Sequence, residues 1–167
     1  TALSSPGQTP YLAFTQKARM MPGETLVVSS AAGAVGSYAV QLGKIGGMRV
    51  VGIAGGPEKC AYVQDQIGTD VAVDYKSTSF AKELAEACPD GVHLYFDLVG
   101  GPVADEVSEN LALRSHILLV GRVAANNSTT PERDMANMRH IWSRETTVHA
   151  FNRYVYADIY PYVIERL

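Results

Sequence analysis

Six short runs rich in β-branched and aliphatic residues recur along the chain, and a stretch with helical signals adjoins each of them. The runs cover residues 25–30, 49–54, 71–75, 92–99, 116–121 and 146–151. Parallel strands need a long crossover between them, usually a helix, so this alternation points to an α/β fold. The expectation is a doubly wound, six-stranded parallel sheet with right-handed crossovers.

The helical stretches carry their own start and stop signals. Thr9 offers a capping hydroxyl and Pro10 a first helical residue, opening a helix that reaches about residue 20. A second helix, 34–45, stops at Gly46-Gly47. A third, 57–67, begins on Pro57 and ends before Gly68. Ser77 or Thr78 would cap a helix running to residue 87, and 103–113 reads as the next. Pro131 would open a helix to residue 142, and the tail from 156 to 167 also reads as helical. The polar stretch 124–130 is the longest break, read as a functional loop rather than a linker.

The link between the first run and its helix reads "VVSSAAGAVGSYAVQLGK", residues 27–44. Ala31, Gly33 and Gly36 stand at the glycine positions of G-x-G-x-x-G, with alanine replacing the first glycine. The position is the one a dinucleotide fingerprint requires, after a strand and opening a helix. Gly33 would let a pyrophosphate approach the backbone. Gly36 would let the helix pack close to the sheet. The amides of Ala34, Val35 and Gly36 would face phosphate, aided by the helix dipole. Close helix–strand packing with no ligand is the alternative. The sheet is then of Rossmann type, with expected order 3-2-1-4-5-6.

NAD-binding domains usually end their second strand with an acid that holds the ribose diol. Here that end is "GIAGG", residues 52–56, with no carboxylate, which favours NADP(H) over NAD. Gly56 would sit at the adenosine ribose. Lys59 could supply a cation to a 2′-phosphate, although an ordinary solvated helix lysine is the plain alternative. Tyr75 could cover the adenine or donate to the same phosphate. Ligands in such sheets gather at the carboxyl ends of the strands. "DLVGG" with Val99, "VGRVAANN" with Gly121, Arg122 and Val123, and "HAFNRY" with Phe151 and Asn152 end there too. Gly100, Gly101 and Gly121 would let backbone come close to the nicotinamide half, and each is equally explicable as a turn residue.

Composition narrows the class. The chain has 167 residues, enough for one ordinary domain, with 47% apolar and 19% charged residues and a net charge of −3. No basic block supports nucleic acid or an anionic membrane as a partner. No apolar run reaches the roughly 20 residues that span a bilayer. The first residues, "TALSSPGQTP", show no signal-peptide pattern, and a start on Thr1 suggests a natural N-terminus further upstream. Cys60 and Cys88 fit no metal or redox spacing, in keeping with a reducing cytoplasm.

Competing chemistries fail on particular residues. No tyrosine has a lysine four positions later, as a short-chain dehydrogenase needs. Gly43-Lys44 precedes Ile45, and Tyr38 stands where a P-loop begins with glycine. His93, His116, His140 and His149 show no ligand spacing, so no metal site is expected. The acids that an S-adenosylmethionine methyltransferase usually has at its first two strand ends are missing.

In "GETLVVSSAAGAVGSYAVQLGK", "VVGIAGGPEKCAYV", "VDYKS", "YFDLVGG" and "GQTPYLAF", the chain resembles the cofactor domain of the medium-chain dehydrogenase/reductase superfamily. It is most similar to the zinc-independent quinone oxidoreductase and prostaglandin/alkenal double-bond reductase branch. The resemblance covers nearly the whole chain and is weaker over 129–144. It implies a phosphate turn at Gly33, Ala34, Val35 and Gly36, and a 2′-phosphate site at Lys59 and Tyr75. It also implies nicotinamide-side loops at Gly121 and the residues after it, and at Phe151 and Asn152. The branch often has Asn where this chain has Leu98, so one side-chain bond to the cofactor ribose is not expected.

The resemblance further implies hydride transfer from NADPH to an enone or enal, or electrons to a quinone. It implies a GroES-like catalytic domain that residues 1–167 do not include, so this segment alone should turn over substrate poorly. No catalytic residue is assigned. Tyr154 and Tyr156 could protonate an enolate, with surface packing as their alternative role. In the family the edge strand pairs across a two-fold axis, so a homodimer through 146–151 is expected. A non-catalytic NADP(H)-binding or dimerisation module of the same fold is the second reading.

Overall fold

The β-branched runs form one parallel sheet in a computed structural model that describes residues 5–121 and 138–165. The strands are β1 (Thr25–Val28), β2 (Arg49–Ala54), β3 (Val71–Asp74), β4 (Val92–Asp97), β5 (Leu111–Leu119) and β6 (Thr147–Ala150). Their order is β3-β2-β1-β4-β5-β6, and every pairing is parallel. This is the Rossmann-type order expected from the alternation. The described helices are α1 (Ser5–Gln16), α2 (Ala34–Ile45), α3 (Pro57–Tyr62), α4 (Phe80–Ala87), α5 (Gly101–Glu109), α6 (Met138–Ser143) and α7 (Tyr160–Ile164).

Strand periodicity divides the core between the two faces of the sheet. Leu26, Val28, Leu94 and Phe96 pack with Leu12 and Phe14 of α1 and with Ala39 and Val40 of α2. Phe14 meets Phe96 with ring centroids 5.2 Å apart. Val27, Val51, Tyr95 and Ile117 face the other way, onto Leu84 of α4, Val107 of α5 and Ile141 of α6. Burial on both faces is why these strands read as continuous apolar runs. No described helix is long and apolar enough to cross a membrane.

Three local expectations are corrected. Pro10 lies inside α1, and Thr9 Oγ1 donates to the Ser5 carbonyl at 2.8 Å, so Thr9 is a helical residue rather than a cap. The expected helix over 103–113 stops at Glu109, and Leu111 already belongs to β5. There the pairing jumps from Val92↔Leu111 to Leu94↔His116. The jump is a bulge that holds Arg114 at φ +58° and lets its amide reach the Arg144 carbonyl at 2.6 Å. Leu111 and Leu113 carry no turn chemistry that would announce this. The tail is a 3₁₀ segment, Arg153–Ile159, broken at Tyr156, and then the single turn α7 with Pro161 near its start. Asn152 caps that segment, and the Tyr160 hydroxyl donates back to the Arg153 carbonyl at 2.7 Å.

Helix α3 starts on Pro57 as expected, then widens into a π-helical turn, Val63–Ile67, closed by Gly68 at φ +93°. The expected helix start at Pro131, the loop 124–130 and the candidate residues Arg122 and Val123 lie outside the described residues.

Candidate cofactor cleft

A cleft of about 480 Å³ opens at the carboxyl ends of the central strands. The turn after β1 contributes Ser30, Ala32 and Gly33. The end of β2 contributes Ile53, Ala54 and Gly55, and α3 adds Lys59. Tyr75 and Lys76 enter from the end of β3. Val99, Gly100, Pro102 and Val103 close it from the end of β4 and the start of α5. Among the described residues two lysines line it, and none of the lining residues is a carboxylate.

The turn after β1 explains the small residues. The left-handed position is Ser30, at φ +51°, one residue before the alanine that replaces the first glycine of the motif. Ala31 is fully buried, and its amide donates to the Ile53 carbonyl at 3.0 Å, which anchors the turn to β2. The sequence pattern shows neither point, since serine is not a usual left-handed residue. A Cβ on Gly36 would collide with the Ser30 carbonyl oxygen and stand 2.9 Å from Ala31 Cα. Gly36 therefore lets α2 start against the turn. A Cβ on Gly33 would meet Ser30 Oγ at 3.0 Å. The first intrahelical amide bond runs from Ser37 to the Gly33 carbonyl, at 2.9 Å. The Ala34, Val35 and Gly36 amides precede it and have no acceptor within the helix.

At the β2–β3 side, Asp74 Oδ1 accepts the Gly56 amide at 2.8 Å and the Lys76 amide at 2.9 Å. These two bonds hold the carboxyl below its ordinary value, against a smaller opposing effect of burial. Tyr75 packs over Gly55, where an added Cβ would stand 2.7 Å from the ring. Gly55 is therefore small because a tyrosine lies across it.

At the β4 end, buried Asp97 organises the turn. Its Oδ1 accepts the Val99 amide at 3.0 Å, the Gly100 amide at 2.9 Å and the Tyr95 hydroxyl at 2.9 Å. Ser29 Oγ accepts the Leu98 amide at 2.9 Å and lies 3.3 Å from the same carboxylate oxygen.

Of the residues singled out from sequence, the cleft gathers Gly33, Lys59, Tyr75, Val99 and Gly100. Gly56 is the residue preceding α3, and its amide is held by Asp74. Ala34, Val35 and Gly36 do not line the cleft. Gly121 backs onto Leu98, whose carbonyl would stand 3.0 Å from an added Cβ. Phe151 is buried and stacks on Tyr156 at 5.6 Å, and the Asn152 side chain accepts the Tyr154 amide. Tyr154 is exposed under the Arg153 guanidinium, 4.4 Å from its ring centre. Lys76 escaped the sequence reading, although it follows Tyr75 within the quoted "VDYKS". Pro102 and Val103 escaped it too, although Gly100-Gly101 before a helix repeats the strand–glycine–helix arrangement of the first turn.

Metal chemistry fits this donor set poorly. Among the described residues no three His, Cys, Asp or Glu side chains converge on a point where an ion could sit. Cys60 and Cys88 are free thiols, and burial pushes Cys88 up to about 11. His116 and His149 pair with each other at 3.0 Å.

A family model described as zinc-binding dehydrogenase matches residues 34–167. The NADPH-dependent curcumin reductase of Escherichia coli (strain K12) is 42% identical over 127 residues, covering 76% of this chain and 37% of that protein. Prostaglandin reductase 1 of Mus musculus is 41% identical, over 75% of this chain and 38% of its own length. The crystal structure of CurA from Vibrio vulnificus in complex with NADPH superposes with a TM-score of 0.91 at 36% identity, over 99% of this chain and 50% of that one. The chain thus spans half the length, or less, of these proteins. The resemblance read from the sequence pointed to the same group of reductases.

Proposed function

This chain belongs to the zinc-binding dehydrogenase family, and on that premise we propose that it is the NADP(H)-binding domain of an oxidoreductase that needs no zinc. The observation that carries this reading is the cleft itself, with Lys59 and Lys76 on its wall, no lining carboxylate and no acid at the end of β2. A 2′-phosphate finds two cations there, whereas a ribose diol finds no acceptor carboxylate. The NADPH complex of CurA and the NADPH-dependent curcumin reductase support the same cofactor.

In this reading the diphosphate lies against the free amides of Ala34, Val35 and Gly36. The adenosine end lies between Gly55, Tyr75 and the two lysines. The Val99–Gly100 turn, held by Asp97, borders the path toward the nicotinamide half, with Gly121 behind it. The bound cofactor supplies the hydride, while the chain supplies binding, orientation and electrostatics. The acceptor is an activated carbon–carbon double bond or a quinone. Phe151 is buried, Asn152 is engaged as a cap, and no described hydroxyl is assigned as proton donor.

Among the described residues β6 lies at one edge of the sheet, paired with β5 alone, and Trp142 beside it is 81% exposed. This supports a homodimer formed through residues 146–151. Sedimentation should then give twice the chain mass, and a monomer at all concentrations would exclude it.

The decisive experiment is a fluorescence titration with NADPH and with NADH, followed by assays of the complete protein on enones and quinones with each cofactor. The reading requires tighter binding of NADPH and turnover of at least one acceptor class. Binding of NADPH without turnover of either class would leave the non-catalytic module as the correct reading.

A further inference from the structure

Asp74 is half-buried behind the cleft and is not one of the residues that line it. Its Oδ1 accepts one amide from each of two segments, one of them 18 residues before Asp74 and the other two residues after it. The Gly56 amide, at 2.8 Å, immediately precedes α3 and sits on a residue at φ +92°. The Lys76 amide, at 2.9 Å, belongs to the turn that follows β3. Lys59 stands on the first turn of α3, and Tyr75 and Lys76 stand on the β3 turn. One carboxylate oxygen therefore ties together the two short segments that carry both lysines and the tyrosine of the cleft. The β2–β3 ladder ends at Ala54↔Asp74, with a last backbone bond from the Tyr75 amide to the Ala54 carbonyl at 3.1 Å, and beyond it the Asp74 carboxylate carries the tie on to Gly56.

We infer that Asp74 is a positioning residue for cofactor selection, holding Lys59, Tyr75 and Lys76 at the spacing that receives a 2′-phosphate. The inference rests on the reading of the cleft as an NADP(H) site and deepens it. A carboxylate near a phosphate is repulsive on its face. Here Oδ1 is engaged by two amides, so what it adds to the cleft is geometry, while its charge stays as an opposing effect. The neutral amide oxygen of asparagine can accept the same two bonds, while alanine can accept neither.

The test uses the complete protein carrying Asp74→Asn and Asp74→Ala, with dissociation constants measured for NADPH and NADH. The wild type should prefer NADPH. Asp74→Asn should keep NADPH affinity within about threefold, because weaker neutral bonds are offset by the loss of a repelling charge. Asp74→Ala should weaken NADPH by about tenfold and NADH by less than about threefold. Equal losses for both cofactors in Asp74→Ala, with wild-type preference intact, would overturn the positioning role and leave the NADP(H) reading standing. A tenfold loss of NADPH binding in Asp74→Asn would overturn it too, since that variant keeps the geometry. No preference in the wild type would remove the reading itself, and the inference with it. Should Asp74→Ala fail to fold, hydrogen exchange on the wild type decides. The Gly56 and Lys76 amides must be protected relative to those of their exposed neighbours Glu58, Lys59 and Thr78, and exchange at the neighbours' rate sinks the inference.

Discussion

The Tyr95 hydroxyl donates to Asp97 Oδ1 at 2.9 Å from a ring that is fully buried in the middle of the sheet. Burial, and then the Asp97 charge, push the phenol well above its usual range, which favours its donor form. The same oxygen holds the amides of Val99 and Gly100. Hydrogen bonds to a buried charge contribute about 1.5–3 kcal/mol. Tyr95→Phe should therefore lower the urea-unfolding free energy by about 2 kcal/mol while the Val99–Gly100 turn stays in place. A change below about 0.5 kcal/mol would mean that the bond contributes nothing net.

Gly36→Ala places a methyl group against the Ser30 carbonyl oxygen. That oxygen is backbone, so either α2 or the turn must move. The expected cost is about 1–3 kcal/mol of stability, as for other overpacked sites. Displacing the α2 amides should also weaken NADPH and NADH together, because both carry the diphosphate. Thermal unfolding and paired cofactor titrations read the two effects separately.

Lys59→Ala should discriminate between the cofactors. Lys59 is exposed and lines the cleft. Its removal should weaken NADPH by about tenfold, leave NADH unchanged and reduce the salt dependence of NADPH binding, because a solvent-facing ion pair is screened. Unaltered NADPH affinity would make Lys59 an ordinary surface lysine.

His149 sets a pH dependence. Burial, then the neighbouring His116 and Lys17, hold its imidazole below the ordinary value. The folded protein therefore binds this proton less readily than the unfolded chain does. Its stabilising contribution is present above the ordinary histidine value, about 6.5, and is lost as the pH falls. Stability measured in urea from pH 7.5 to pH 5 should decline, and His149→Asn should flatten the decline. An unchanged slope in the variant would place the titrating group elsewhere.

Neighbouring residues were enough to read most of the architecture. The alternation of apolar runs with capped helical stretches leads directly to the β3-β2-β1-β4-β5-β6 sheet, and Pro57 and Gly68 mark the limits of α3 and its π turn correctly. The cleft was legible in outline, since Gly33, Lys59, Tyr75, Val99 and Gly100 were singled out and line it. Lys76, Pro102 and Val103 were passed over because nothing in their immediate surroundings separates a lining residue from an ordinary turn residue. The β5 bulge went unread for a related reason, since its partner Val92 lies on another strand.

Periodicity and turn chemistry act over a few positions, so composition and order along the chain suffice for the strands, the helices and the small-residue bend after β1. The bond from Gly56 to Asp74 and the contact of Ser29 with Asp97 depend on sheet register. Register brings together groups up to 69 residues apart, as at Ser29 and Leu98. Such contacts arise from packing across strands, and the residues that make them show no local signature before the sheet is assembled.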